Sequence, residues 1–134
     1  MNNVLIVEDN TYINDTWVEY FNDLKYDGFP FGEIHSFETS DEANKIIVDK
    51  EISFYVGIID IRSPGILNGL DLIENISAKI NHIILTTGYQ LDYEDEIKAL
   101  SEHINIYAIY YKKEDPKFRM EWRKKYLNVL FDEF

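Results

Sequence analysis

The chain has 134 residues, which fits one domain of common size with a sizeable core. Its formal net charge of −12 opposes binding to a phosphate backbone, so we expect no nucleic-acid partner. There is no cysteine, which excludes disulfides and thiolate metal sites and suits a reducing cytosol. No signal peptide is recognisable, and no segment approaches the ~18 apolar residues of a membrane helix. We therefore expect a cytoplasmic protein that does not bind membranes.

Strands and helices alternate through the first half of the chain. The apolar run Val4–Glu8 predicts a buried strand, and apolar residues at helical spacing predict a helix over Thr11–Lys25. A weak second strand follows at Glu33–Phe37, and the capping pattern Thr39–Glu42 begins a second helix. The strongest strand signal is Phe54–Ile61.

The second half continues the alternation. A third helix is predicted from an apolar stripe at Leu70, Ile73, Ile76 and Ile80. Strands are predicted at His82–Thr86 and Ile106–Tyr111, and the helix between them from Ile97, Leu100 and Ile104. Asp115–Pro116 opens a last helix, with Asp as the cap and Pro in the first turn. Its predicted inward face is Phe118, Trp122, Tyr126 and Leu130.

Five buried strands alternating with five amphipathic helices predict an α/β fold of the (βα)5 type, with helices on both faces of a parallel sheet. In such folds the ligand site lies beyond the carboxyl ends of the strands, where the strand order reverses. The residues that end each strand are therefore the candidates for function.

Acidic, hydroxyl and amine side chains end four of the five predicted strands. They are Glu8 and Asp9, then Asp60, then Thr86 and Thr87, and finally Lys112 and Lys113. Three converging carboxylates repel one another, and a hard divalent cation such as Mg²⁺ resolves that repulsion through oxygen ligands. A free carboxylate beside such a cation can attack phosphorus and form an acyl phosphate. A neighbouring hydroxyl and ammonium can then hold the phosphoryl oxygens.

These segments resemble the receiver domain of two-component response regulators over essentially the whole chain. The matching stretches, each at a strand end, are Val4–Asn10, Ile58–Asp60 with Pro64, Gly69–Leu72, Ile84–Tyr89 and Tyr110–Lys112. The resemblance implies a single receiver domain over residues 1–134, with strand order 2-1-3-4-5 and no effector domain. It also implies that phosphorylation of an aspartate switches protein–protein contacts.

The resemblance assigns roles residue by residue. Asp60 is the expected phosphoacceptor, and Asp9 is the expected direct Mg²⁺ ligand, with Glu8 acting mainly through water. Asp60 and the backbone carbonyl of Arg62 complete the expected metal site. Thr87 is the expected hydroxyl that follows the phosphoryl group, and Lys112 is the expected amine.

The sequence departs from the family pattern in the loop after Asp60. Gly69 lies nine residues after the aspartate, whereas family members place this glycine eight residues after it. The loop therefore carries one extra residue, and Ser63 stands where a methionine is usual before Pro64. Neither change touches a catalytic group, but both predict a different loop shape.

Two choices between neighbours stay open. Thr87 is preferred to Thr86 because a small residue, Gly88, follows it, as in the family. Lys112 is preferred to Lys113 because Pro116 then lies four residues on, although Lys113 would put the aromatic Tyr110 at the family's switch position.

The resemblance implies a sensor histidine kinase or phosphotransfer protein as phosphodonor and a downstream protein as target, with dimerisation possible. Slow autodephosphorylation is the only enzymatic activity expected. The alternative is a pseudo-receiver that binds partners without phosphorylation.

Two other classes of protein with a similar fold lack support in the sequence. A flavodoxin needs a phosphate-binding loop after the first strand, and Glu8–Asn10 is not such a loop. An aspartate-based phosphatase usually has a second aspartate where Arg62 stands. The last basic run is expected to form a solvated helix face, with a partner surface as the alternative; it comprises Lys117, Arg119, Arg123, Lys124 and Lys125.

Overall fold

The structure is a computed structural model, and it describes residues 2–88, 93–112 and 116–132. Within these residues five parallel strands form one sheet in the order β2-β1-β3-β4-β5. The strands are β1 Asn2–Val7, β2 Phe31–Phe37, β3 Phe54–Asp60, β4 Ile80–Thr87 and β5 Ile106–Tyr111. The predicted fold class and strand order are thereby confirmed, and β1 and β3 lie at the centre of the sheet.

Helices connect the strands and cover both faces of the sheet. They are α1 Thr11–Tyr26, α2 Ser40–Ile47, α3 Gly69–Ile76, α4 Glu94–Ser101 and α5 Pro116–Trp122. A π-helical turn, Arg123–Leu127, and a short helix α6, Asn128–Phe131, continue α5. We call Pro116–Phe131 the C-terminal helix. No helix among the described residues is long and apolar enough to cross a membrane.

Side chains that accept backbone N–H bonds fix where three helices begin. Asn10 accepts from the amide of Ile13 at the start of α1, and Thr39 accepts from the amide of Glu42 at the start of α2. At α3, Asn68 and Asp71 form a reciprocal capping box. Each cap lies in a loop at the carboxyl edge of the sheet, so the caps also order the loops around the predicted site.

The sheet separates two hydrophobic cores because alternate strand residues point to opposite faces. In β1, Leu5 and Val7 pack towards α2, α3 and α4, whereas Val4 and Ile6 pack towards α1 and the C-terminal helix. All four side chains are at most 1% exposed, which accounts for the continuous apolar run of this strand.

Several sequence predictions about element boundaries are wrong, and β1 and β4 each begin two residues before their predicted starts. Ile80 does not extend the apolar stripe of α3, because that helix ends at Ile76 and Ile80 is the first residue of β4. Ile104 lies beyond the end of α4 at Ser101. Strand β2 begins at Phe31, two residues before the predicted start, and pairs there with Asn2.

The predicted inward face of the C-terminal helix lies in or against the core: Trp122 and Leu130 are buried, and Phe118 and Tyr126 are partly buried. Leu127 and Phe131 are buried as well and were not predicted. The π-helical turn adds one residue to the helical repeat, which rotates the following residues relative to an ideal α-helix. The predicted cap Asp115 lies outside the described residues.

Candidate metal site at the carboxyl edge of the sheet

The parallel strands bring the predicted site residues to one edge of the sheet. Glu8 directly follows β1, Asp60 is the last residue of β3, and Lys112 directly follows β5. Asp60 pairs in register with Thr86, which lies near the end of β4. Four elements far apart in sequence thus supply polar groups to one place, as the topology requires.

Three carboxylates lie close enough together to share one ion. Glu8, Asp9 and Asp60 each offer an oxygen, and these oxygens lie within 4.8 Å of one another. Glu8 and Asp60 are buried, at 2% and 3% exposure, whereas Asp9 is exposed. Two buried acids and one solvent-facing acid fit a Mg²⁺ ion, which is bound through few carboxylates and keeps several waters.

The ammonium of Lys112 contacts both buried acids. Its Nζ lies 2.9 Å from Asp60 Oδ2 and 2.7 Å from Glu8 Oε1. The backbone amide of Lys112 also donates to the carbonyl of Thr87 at 2.8 Å, which fixes the residue beside the end of β4. Lys112, preferred from the sequence, therefore lies in the cluster, while Lys113 lies outside the described residues.

Backbone amides orient the two buried carboxylates. The amide of Arg62 donates to Asp60 Oδ1 at 3.2 Å, and the amide of Asn10 donates to Glu8 Oε2 at 3.2 Å. Asp60 therefore presents a fixed carboxylate plane, with one oxygen facing the lysine and the other facing the start of the following loop.

Burial dominates the electrostatics of the cluster. Loss of hydration raises the pKa of Glu8 from 4.5 to about 7, although the ion pair with Lys112 opposes this shift. Burial likewise raises the pKa of Asp60, again against the effect of Lys112. Burial alone lowers the pKa of Lys112, but its bonds to Glu8 and Asp60 outweigh that effect and raise it. Two acids and one lysine leave net negative charge, which a divalent cation would neutralise.

Both candidate threonines are buried at the end of β4, at 2% exposure for Thr86 and 1% for Thr87. The carbonyl of Thr86 accepts from the amide of Ile61, so this residue joins β4 to the end of β3. Thr87 pairs in register with Tyr111 next to Lys112. The preference for Thr87 as the hydroxyl group of the site stays a prediction.

A cavity of about 320 Å³ lies beside the cluster, between α1 and the C-terminal helix. Its lining combines positive charge with aromatic rings and comprises Asn10, Tyr12, Ile13, Thr16, Trp17, Tyr110, Lys112, Arg119 and Arg123. Arg119 and Arg123 are only partly exposed, and the Arg123 guanidinium lies 4.4 Å from the ring centre of Tyr20. The prediction of a purely solvated basic face is therefore wrong for these two arginines.

Tyr110, the aromatic residue near the end of β5, faces away from the carboxylate cluster. The residue three positions before Lys112 is Ile109. Tyr110 is 7% exposed, and its ring packs against Trp17 and Trp122 on the side of α1 and the C-terminal helix.

Sequence analysis missed Asn14, which stabilises the acidic edge from α1. Its side-chain amide donates to the carbonyls of Glu8 and Phe37, at 3.0 and 3.1 Å, and thereby joins the ends of β1 and β2. The signal was present in the sequence, since Asn14 is a polar residue next to Ile13 and one turn before Trp17 on the apolar side of α1.

No protein-family model matches the sequence, and no curated protein sequence matches it. Solved structures do match the fold. The non-phosphorylated HemR receiver domain from Leptospira biflexa has a TM-score of 0.71 at 19% identity, covering 98% of this chain and 94% of that one. The chemotaxis protein CheY4 from Vibrio cholerae has a TM-score of 0.65 at 18% identity, and the match covers 94% of this chain and 98% of CheY4. The BeF3-activated receiver domain of RstA from Klebsiella pneumoniae has a TM-score of 0.63 at 18% identity, and the match covers 94% of this chain and 98% of that domain.

The chain therefore has the receiver-domain fold of response regulators over nearly its whole length. At these identities the likeness establishes the fold, and the chemistry has to be argued from the side chains at the edge of the sheet.

Proposed function

We propose that the protein is a response regulator receiver that accepts a phosphoryl group on Asp60 in a Mg²⁺-dependent reaction. The observation that carries this proposal is the cluster of Glu8, Asp9 and Asp60, whose carboxylate oxygens lie within 4.8 Å of one another and whose buried members both contact Lys112. An ordinary surface cluster of acids does not bury two carboxylates around one ammonium, because burial of charge is costly.

Asp9, Asp60 and the carbonyl of Arg62 would hold a Mg²⁺ ion, with Glu8 acting through water, and the ion would supply positive charge beside the acids for an anionic donor. An oxygen of the Asp60 carboxylate attacks phosphorus and forms a new O–P bond. The bond from phosphorus to the donor atom breaks, and the leaving group departs with its electron pair. Fixing the carboxylate through the amide of Arg62 reduces the entropy lost in reaching this arrangement.

The product is an acyl phosphate on Asp60, which adds negative charge at the edge of the sheet. Lys112 pairs with Asp60 before transfer and is placed to hold a phosphoryl oxygen afterwards. Thr87 supplies the hydroxyl that follows the phosphoryl group. Such a local change in charge shifts a two-state equilibrium and alters binding to a downstream protein. Slow hydrolysis of the acyl phosphate returns the domain to its first state.

The donor in this proposal is a phosphohistidine on a sensor histidine kinase or phosphotransfer protein. The cavity lined by Lys112, Arg119 and Arg123 supports an anionic donor, because Lys112 also contacts Asp60. A region of positive charge on a chain of net charge −12 is suited to attract such a group.

The test is an intact-mass measurement after incubation with Mg²⁺ and acetyl phosphate. We expect one added phosphoryl group on the parent, none on Asp60→Asn, and none on the parent when EDTA removes the metal. Asp71→Asn serves as a matched control, because Asp71 caps α3 and lies outside the carboxylate cluster. A parent that neither gains mass nor binds Mg²⁺ would overturn the proposal and favour a phosphorylation-independent adaptor.

A further inference from the structure

The segment between β3 and α3, residues 62–68, is the part of the site that departs from the family pattern. Backbone bonds hold both of its ends. The amide of Ile61 donates to Thr86, and the amide of Gly69 donates to the carbonyl of Ile61 at 2.8 Å. We call residues 62–68 the β3–α3 loop. With its ends fixed and one extra residue inside, the loop would lose more conformational entropy on ordering than a shorter one.

Asp41, in the first turn of α2, binds the tip of this loop with both carboxylate oxygens. Oδ2 accepts from the amide of Ile66 at 2.9 Å, and Oδ1 accepts from the amide of Leu67 at 2.8 Å. Hydrogen bonds from amides to an ionised carboxylate are stronger than bonds between neutral groups. A side chain from a different element thus fixes two consecutive peptide units of the loop.

The loop is shaped to approach Asp41 closely. Gly65 has φ +110°, a conformation that residues with a side chain rarely adopt, and a Cβ at this position would overlap Asp41 Oδ2. A second bond joins the same two elements, because the amide of Ser40 donates to the hydroxyl of Ser63 at 2.7 Å. The unusual Ser63 therefore has a structural partner at the start of α2.

The same loop borders the carboxylate cluster. A cavity of about 420 Å³ separates it from Asp9, and the lining residues are Asp9, Arg62, Ser63, Pro64, Asn68 and Tyr93. The carbonyl of Arg62, a metal ligand in the proposed function, belongs to the peptide unit that ends at Ser63. Its position therefore depends on how the loop is held.

We propose that Asp41 is a positioning residue, which holds the β3–α3 loop so that the carbonyl of Arg62 faces the metal. This inference rests on the proposed function and extends it to a residue that lies on α2, outside the cluster. The extra loop residue makes such a clamp necessary, and the pair Asp41 and Gly65 supplies it. Groups that orient the ligands of a metal typically change its affinity by ~10–100-fold when removed.

The experiment measures the Mg²⁺ dissociation constant of the full chain by calorimetry, with amide hydrogen exchange at Ile66 and Leu67 as a report on the clamp. Asp41→Ala should raise the dissociation constant by about tenfold and speed exchange at both amides. The matched control is Glu42→Ala, which removes the same charge from an exposed neighbour, whereas the amides of Ile66 and Leu67 donate to Asp41. The control should stay within about twofold of the parent, since an exposed charge acts weakly at a distance.

Two further variants separate positioning from folding. Asp41→Asn keeps one acceptor oxygen and should give an intermediate affinity with a thermal midpoint near that of the parent. Gly65→Ala disturbs the same contact from the loop side, so the double variant should bind Mg²⁺ no more weakly than the weaker single variant.

Equal Mg²⁺ affinities for Asp41→Ala and Glu42→Ala, with a parent that binds Mg²⁺ and gains a phosphoryl group, would overturn the positioning role alone. A parent that does neither would overturn the proposed function and this inference together.

Discussion

At the scale of single residues, the cluster keeps two carboxylates and a lysine where water is scarce. Burial of Glu8 raises its pKa to about 7, above the 4.5 of the unfolded chain, despite an ammonium 2.7 Å away. The favourable ion pair is therefore weaker than the cost of removing the carboxylate from water, as is common for buried charges. A site with this balance is held by the fold around it at some cost in stability.

The raised pKa of Glu8 predicts how stability depends on pH in metal-free buffer. Between about pH 4.5 and 7 the folded chain binds more protons than the unfolded chain, so the free energy of unfolding falls as pH rises. The effect at Glu8 should be about 1–3 kcal/mol. Urea denaturation at pH 5 and pH 8 in EDTA measures it. Asp60, whose pKa is also raised, contributes in the same direction.

In Glu8→Gln the contribution of residue 8 to the fall in the free energy of unfolding between pH 5 and pH 8 should largely disappear. The amide does not titrate and can still accept from Lys112. Asp9→Asn removes a charge from the exposed neighbour, and its free energy of unfolding should still fall as pH rises. Each variant removes one formal negative charge from a chain of net charge −12, so at pH 8 the comparison controls for general self-repulsion. Identical pH dependence in Glu8→Gln and the parent would contradict the burial argument.

Gly69 shows which residue-scale features the sequence can and cannot predict. A Cβ at Gly69 would overlap the backbone carbonyl of Asp60, so glycine is required where α3 approaches the end of β3. The sequence indicated this glycine by its place after the acceptor aspartate. It could not indicate that Asp41 binds Ile66 or that Asn14 binds Phe37, because the residues of these pairs lie 25 and 23 positions apart in the sequence.

At the scale of elements, β1 and β3 were predictable because burial on both faces leaves an uninterrupted apolar run, whereas β2 is mostly not buried and gave a weak signal. The C-terminal helix was predicted in place, and its four predicted inward residues lie in or against the core. Its π-helical turn puts Leu127, five residues after Trp122, into the core as well, which the α-helical spacing did not indicate. The hydroxyl of Tyr107 donates to the carbonyl of Tyr126 at 2.6 Å, so a residue on β5 stabilises the turn. That bond is a tertiary contact without a local sequence signal.

Because the π-helical turn places Leu127 in the core, shortening its side chain should strongly reduce the stability of the fold. The side chain is 0% exposed, so Leu127→Ala should lower the free energy of unfolding by ~2–5 kcal/mol through lost burial and a cavity. Val129→Ala in the same helix is the control, since Val129 is 56% exposed and should change stability by ~0.5 kcal/mol or less. Chemical denaturation of both variants measures the difference. Similar small losses would mean that Leu127 does not face the core.

At the scale of the whole molecule, the proposed function requires an anionic donor to reach Asp60, and the distribution of charge would govern that approach. The net charge of −12 repels such a donor, whereas Lys112, Arg119 and Arg123 line one cavity beside the acceptor. Long-range repulsion and local attraction both depend on salt, because screening shortens their reach from ~10 Å at 0.1 M to ~3 Å at 1 M. Local attraction acts where the donor must bind, so loss of one cavity charge should slow transfer.

Arg119→Gln should therefore lower the rate of phosphorylation by acetyl phosphate about two- to threefold at low ionic strength, through weaker attraction of the donor. Lys124→Gln removes the same charge from an exposed position on the same helix outside the cavity, and should change the rate less. The rates are measured by intact mass over time at 20 mM and 1 M salt, and the two variants should converge at high salt. A deficit in Arg119→Gln that persists at 1 M salt would point to a direct contact with the donor, and equal rates at low salt would exclude the cavity as its route to Asp60.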